Sequence, residues 1–237
     1  MIADRYVWLV WSSALLVPWS ALYLRFPRYR RPMLWASLFT TPFGLTEPIF
    51  VPKYWSPPSL LDLARTTGFD LESLIFCFGI GGVGAVLYNV LARRALEPVT
   101  AIERRARCHR FHRLTLASPF VVFPLLYVLP WNPIYPGIAA MGVGATATAI
   151  CRPDLVRKTL AGGGIFLVYY LVFLAGLEIT SLGYIDRVWN LGALSGLRVV
   201  GFPVEELLFA VAFGMYWAGV YEHVTWHGSA RSRHAHA

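Results

Sequence analysis

Charged side chains are scarce in this chain. Asp, Glu, Lys and Arg make up 14% of its 237 residues, against about 25% in soluble domains. With 57% hydrophobic residues and a mean hydropathy of +0.53, that scarcity excludes a water-soluble globule. Lysine is nearly absent: Lys53 and Lys158 are the only two, and both read as loop residues. A seven-helix retinal protein needs a Schiff-base lysine in its last span, so that class is excluded. Cysteine is sparse as well. Cys77, Cys108 and Cys151 lie 31 and 43 positions apart, which rules out a Cys-x-x-Cys pair, and an odd count argues against a disulfide framework. Aspartate does not cluster: Asp62, Asp70, Asp154 and Asp186 are scattered. An aspartate-rich Mg²⁺-diphosphate site of the prenyltransferase kind is therefore not expected.

What the chain has in abundance is apolar runs. A helix crossing the hydrocarbon core needs about 20 mostly apolar residues, and seven windows qualify: Val7–Leu24, Met33–Val51, Glu72–Leu91, Leu114–Leu129, Ile134–Ile150, Thr159–Thr180 and Pro203–Val224. Pro42, Gly44, Glu47 and Pro48 interrupt the second. The first is expected to remain as an anchor and not be cleaved as a signal peptide, because Met1–Tyr6 is not a basic leader and arginines follow the apolar run. The sequence thus predicts an all-α integral membrane protein of seven transmembrane helices.

The net charge of +8 would point to nucleic acid in a soluble protein. Here the basic residues sit between apolar runs, where they act as topology signals, and no nucleic-acid partner is expected. Alternate loops carry 16 and 5 of the Lys and Arg residues. The expected location is the cell membrane, multi-pass, with the N-terminus outside and the C-terminus cytoplasmic. The histidine-containing tail, 227–237, reads as disordered. His223 and His227 share a helix face but lack an evident third ligand, so no metal site is expected.

An internal repeat is legible. Gly68-Phe69-Asp70-Leu71-Glu72-Ser73-Leu74-Ile75-Phe76 aligns without gaps, at an offset of 133, with Gly201-Phe202-Pro203-Val204-Glu205-Glu206-Leu207-Leu208-Phe209. The match continues from Leu87-Tyr88-Asn89 to Val220-Tyr221-Glu222, and Glu47 and Trp55 have approximate counterparts in Glu178 and Trp189. This predicts two parallel three-helix repeats joined by a linker helix: 1–92, then a basic cytoplasmic loop and linker helix over 93–131, then 132–226.

Carboxylates inside spans are costly unless protonated or paired, which makes them functional candidates. Glu47, Glu72, Glu178 and Glu205 fall near the outer ends of four spans. Glu72 with Phe76, and Glu205 with Phe209, are spaced four apart and present an acid beside a ring. Glu206 lies about 100° round the helix from Glu205, so the two do not face one target.

Pro203-Val204-Glu205-Glu206-Leu207-Leu208-Phe209 resembles the Pro-x-Glu-Glu-x-x-Phe signature of the lycopene cyclase domain, the membrane-integral carotenoid cyclase family. The resemblance covers most of the chain, including Glu178, Trp189 and Gly196 before the motif and Tyr221-Glu222 at the last helix end. It implies redox-neutral ring closure at the end of an acyclic carotenoid without a flavin or other cofactor. The first copy departs from the signature, with Asp70 for the proline and Ser73 for the second glutamate.

Such a cyclisation needs a protonated carboxylic acid, a base and π faces that stabilise a cation. Glu205 and Glu72 are the expected acid and base, with Glu206 as a third catalytic candidate. Glu47, Glu178, Phe76, Phe209 and Trp189 are expected to support them, and Trp55, Phe213 and Trp217 to shield the cation. The expected partners are a hydrophobic isoprenoid such as lycopene, the lipid bilayer, and a second copy or other carotenoid-pathway enzymes. Two other classes fit the same residues: a non-catalytic isoprenoid-binding membrane subunit, and a proton-coupled transporter.

Overall fold

The computed structural model describes residues 2–231. Thirteen α-helices follow in order: α1 Asp4–Ala14, α2 Leu16–Arg25, α3 Arg30–Thr40, α4 Glu47–Phe50, α5 Leu63–Thr67, α6 Leu71–Leu91, α7 Ala101–Arg104, α8 His112–Tyr127, α9 Ile134–Cys151, α10 Val156–Thr180, α11 Tyr184–Val188, α12 Val204–Trp217 and α13 Val220–Thr225. Four short strands form two ladders: β1 Arg94–Pro98 with β4 His227–Arg231, and β2 Arg198–Val199 with β3 Phe202–Pro203.

All seven expected segments are helical over most of their length, and five helical stretches are long and apolar enough to cross a membrane: Asp4–Arg25, Leu71–Leu91, Ile134–Cys151, Pro153–Thr180 and Val204–Thr225. The other two fall short. Helix α8 has 16 residues, about 24 Å of rise against a core of roughly 30 Å. The segment expected to span 33–51 breaks into α3, a 3₁₀ stretch over Thr41–Thr46, and α4. Pro42 and Pro48 sit at the starts of the last two, where a missing N–H costs least. Gly44 within the break packs against the first turn of α6. A Cβ there would stand 2.8 Å from the Ser73 and Leu74 backbone.

Helix α6 packs on α3, and α12 packs on both α10 and α9. α6 also contacts α12 directly, and α8 lies along α9. Small residues permit the closest of these approaches. Gly162 of α10 and Gly214 of α12 face each other, each leaving no room for a Cβ against the other's carbonyl. This is the small-residue packing by which apolar helices associate without a hydrophobic driving force.

Two expectations change. Lys158 is not a loop residue: it lies in the first turns of α10, 2% exposed, and forms an ion pair with Glu222. The tail is not wholly irregular either, because His227–Arg231 pairs antiparallel with Arg94–Pro98. Strand pairing is hard to read from a short polar segment whose partner lies more than a hundred residues away. Residues 232–237, including His234 and His236, lie outside the described residues.

The basic segments gather at one end of the bundle. The Tyr29 hydroxyl donates to the carbonyls of Asn89 and Arg94, and Arg152 donates to those of Glu222 and His227. At the other end, Trp55 and Trp189 form an isolated antiparallel bridge. Ser56 N–H donates to Val188 O at 2.8 Å and Asn190 N–H to Tyr54 O at 2.9 Å.

Candidate active site

The start of α12 is set by a tight hairpin. Between β2 and β3 the chain turns on Val200 and Gly201, both at positive φ, the combination of a type I′ turn. Pro203 then precedes the helix and Glu205 and Glu206 enter its first turn. The start of α6 uses a different device: Asp70 accepts from Ser73 N–H as an N-cap.

The two glutamates of α12 face different surroundings. Glu205 turns toward the connecting loop. Its Oε1 accepts the Ser195 N–H at 2.8 Å and the Tyr135 hydroxyl at 2.7 Å, while its Oε2 is buried without a hydrogen-bond partner. Glu206 turns into the bundle. Its Oε1 accepts the Tyr54 hydroxyl and the Trp189 indole N–H, the latter at 2.7 Å, and its Oε2 accepts the Tyr170 hydroxyl at 2.6 Å.

Glu72 behaves like Glu205. It is fully buried, its Oε1 accepts the Leu60 N–H at 2.6 Å, and its Oε2 has no partner. In both cases a carboxylate at the head of a long helix ties down the loop before it. Glu47, by contrast, behaves like Glu206. Its Oε2 accepts the Trp55 indole N–H at 3.2 Å and its Oε1 the Ser73 hydroxyl at 2.6 Å.

One apolar cavity of about 360 Å³ lies within the bundle, and the acids on its wall are Glu47 and Glu206. Neither Glu205 nor Glu72 lines it, which differs from the expectation that these two form the acid–base pair. The helical wheel separated Glu205 from Glu206 correctly but could not say which of the two faces inward. Glu178 does not line it either; it accepts the N–H groups of Gly183 and Ile185 at the start of α11.

The expected aromatic residues do converge. Trp55, Phe76, Trp189, Phe209, Phe213 and Trp217 all line the cavity. Many wall residues were not anticipated, among them Trp8, Tyr54, Tyr170 and Phe173. Trp8 meets Trp55 edge-on at 4.7 Å and Phe76 at 5.3 Å. Tyr170 lies in an apolar run and Tyr54 in the turn after Lys53, and neither belongs to a motif, so nothing local marked them.

Helix α8 is more than a linker. Pro119, Phe120, Phe123 and Pro124 form one side of the cavity, opposite Phe43, Gly44 and Phe50. Phe43 and Phe120 stack at 6.3 Å and are also exposed on the outer surface. The cavity wall therefore reaches the outer surface where the broken 41–50 segment meets α8.

A buried carboxylate pair in an aromatic, nearly dry pocket can exchange a proton with an apolar molecule and stabilise a transient carbocation. No curated protein and no solved structure matches the chain. The sequence model of the family described as lycopene cyclase matches residues 132–224, which contain α9 to α12, the whole Pro203–Phe209 motif and Glu206. Over residues 132–224 the chain is thus similar to the lycopene cyclase family.

Proposed function

We propose that this protein closes the ring at the end of an acyclic carotenoid, with Glu47 and Glu206 as the acid–base pair. One carboxyl gives a proton to the terminal alkene, and an internal double bond attacks the resulting tertiary cation. Loss of a neighbouring proton to the other carboxylate then leaves the new alkene. One proton enters and one leaves, so no electrons are transferred and no redox partner is required.

The observation that carries this reading is the placement of two buried carboxylates on one aromatic cavity. Glu206 accepts three hydrogen bonds, a set of donors placed to hold a carboxylate, and is assigned the base. Glu47 accepts only two, one of them from the Ser73 hydroxyl. Glu47, with fewer donors, is assigned the acid. The faces of Trp8, Trp55, Phe76 and Phe209 surround the space where the cation forms. Glu205 and Glu72 serve as positioning residues for the loops that close the cavity end.

The proposal includes the architecture: seven spans, with the N-terminus outside, as two parallel repeats about an axis along the bundle. Support comes from residues equivalent under the repeat that meet each other. Trp55 contacts Trp189 at one end, with ring centroids 5.3 Å apart, and Asn89 contacts Glu222 at the other. Glu72 and Glu205 make equivalent bonds to equivalent loops.

Pigment analysis of cells that accumulate lycopene, expressing this chain, tests the activity. Cyclised carotenoid should appear with the wild type and disappear with Glu206→Gln and with Glu47→Gln, both still present in the membrane. Wild-type cells that bind but never cyclise any linear carotenoid would leave an isoprenoid-binding subunit as the function.

A further inference from the structure

At the basic end, away from the cavity, three metal-ligating side chains from distant parts of the chain converge. His109 closes the 3₁₀ turn Arg107–His109, His112 opens α8, and Cys151 closes α9. Cys151 Sγ stands 3.6 Å from His109 Nδ1 and 3.5 Å from His112 Nδ1. The three donor atoms all lie within 4.8 Å of one another.

Those separations have a specific meaning. With Zn–S near 2.3 Å, Zn–N near 2.05 Å and tetrahedral angles, sulfur and nitrogen ligands stand about 3.6 Å apart. The two measured values fit that spacing. The cluster is also supported from behind. The Trp226 ring stacks on His112 at 4.0 Å, and His223 meets His112 edge-on at 4.6 Å. His223 is itself held between Thr148 and Thr115. Rings fixed by such outer contacts keep their nitrogens aimed at one point.

Charge selects the kind of ion. Arg104 and Arg152 both stand over the Trp226 ring, so the surroundings disfavour a hard divalent cation held by neutral ligands. A thiol offsets this by releasing its proton to solvent when it binds, and thiolate with imidazole favours zinc-class ions over Mg²⁺ or Ca²⁺.

We propose that His109, His112 and Cys151 bind one zinc-class ion, with water in the fourth position. The ion pins the arginine-rich 99–113 segment to the end of α9. It plays no part in ring closure, since none of its ligands lines the cavity.

The test uses the full chain in detergent, stripped by chelator and then given Zn²⁺ or Co²⁺ alone. One zinc per chain is expected by elemental analysis. Co²⁺ should give a thiolate-to-cobalt charge-transfer band and intense tetrahedral ligand-field bands, both displaced by zinc. Cys151→Ser should lose the charge-transfer band and weaken zinc binding by about 100-fold. The variant His109→Ala, at a half-buried position and with its fold checked by circular dichroism, should weaken it by at least about tenfold. Zinc should slow tryptic cleavage after Arg104, Arg105, Arg107 and Arg110 in the wild type but not in His109→Ala. His234→Ala/His236→Ala should keep one zinc. Loss of all zinc in that tail variant, absence of a thiolate band in the wild type, or undiminished binding by His109→Ala would each overturn the proposal.

Discussion

Asn89 and Glu222 stand 133 residues apart, and the Asn89 amide donates to Glu222 Oε1 at 2.9 Å. The separation equals the offset that relates the two glycine–phenylalanine–acid segments. Two copies of one position touch only where they flank the axis that relates the copies, so this bond marks that axis in the proposed repeat. The contact is not symmetric, because one copy is an amide and the other an acid. The acid accordingly takes a cation, Lys158, which is 2% exposed and also lies 3.4 Å from Ala85 O.

That ion pair yields the first prediction. Glu222→Gln leaves the Lys158 ammonium buried without its counter-charge and should cost about 3–5 kcal/mol, as breaking one side of a buried pair does. Lys158→Met combined with Glu222→Gln removes both charges and should recover much of the loss. Thermal unfolding of the two variants in detergent checks this; a double variant no more stable than the single one would refute the pairing argument.

The cavity acids give the second. Tyr170→Phe removes one of three donors to Glu206 while keeping the ring. A hydrogen bond to a charged group is worth about 1.5–3 kcal/mol, so turnover should fall roughly 10- to 100-fold. Glu206→Gln should abolish turnover altogether. Rates measured on carotenoid delivered in micelles separate the two; equal effects would mean that Tyr170 has a role beyond holding the carboxylate.

Glu205 should respond differently. Glutamine retains a carbonyl that accepts the Ser195 N–H, so Glu205→Gln should keep most of the cyclised product. Glu205→Leu removes the acceptor of both the Ser195 N–H and the Tyr135 hydroxyl and should destabilise the protein by about 0.5–1.5 kcal/mol for each bond lost. Pigment yield and melting temperature of both variants decide the matter. Abolition of turnover by Glu205→Gln in a stably folded protein would return the acid role to Glu205.

The fourth concerns the helices that hold the site. Tyr170 is on α10 and Glu206 on α12, and the two helices touch at Gly162 and Gly214. A Cβ on Gly214 would lie 2.6 Å from Gly162 O, whereas one on Gly164 meets nothing within 4 Å. Gly214→Ala should therefore cost about 1–3 kcal/mol through overpacking and lower turnover by moving Tyr170 from Glu206. Gly164→Ala should be neutral or slightly stabilising, since alanine favours helix over glycine by roughly 1 kcal/mol. Stability and rate measured together on the pair test this, and equal behaviour would contradict the geometry.

The sequence by itself determined the solvent and the building blocks. Low charge and long apolar runs demand helices in a bilayer, and apolar windows of about 20 residues placed the long ones within a few residues. The offset of 133 was legible because Gly68, Glu72 and Phe76 recur in register, and the Pro203–Phe209 motif was local enough to read directly. What only the tertiary structure decided was direction and distance. A helical wheel separates Glu205 from Glu206 by angle, but which one faces the cavity depends on where α9, α10 and the Trp189 loop pack around α12. Tyr54 and Tyr170 reach Glu206, and Trp8 the cavity wall, from segments with no pattern to mark them. His109, His112 and Cys151 lie about forty positions apart at their widest, and only the packing of α8 on α9 brings them together. Local patterns report what a segment needs, namely a cap, a turn or an apolar neighbour. Which neighbour supplies it is settled when the helices dock, because docking energy is shared among contacts that no single segment contains.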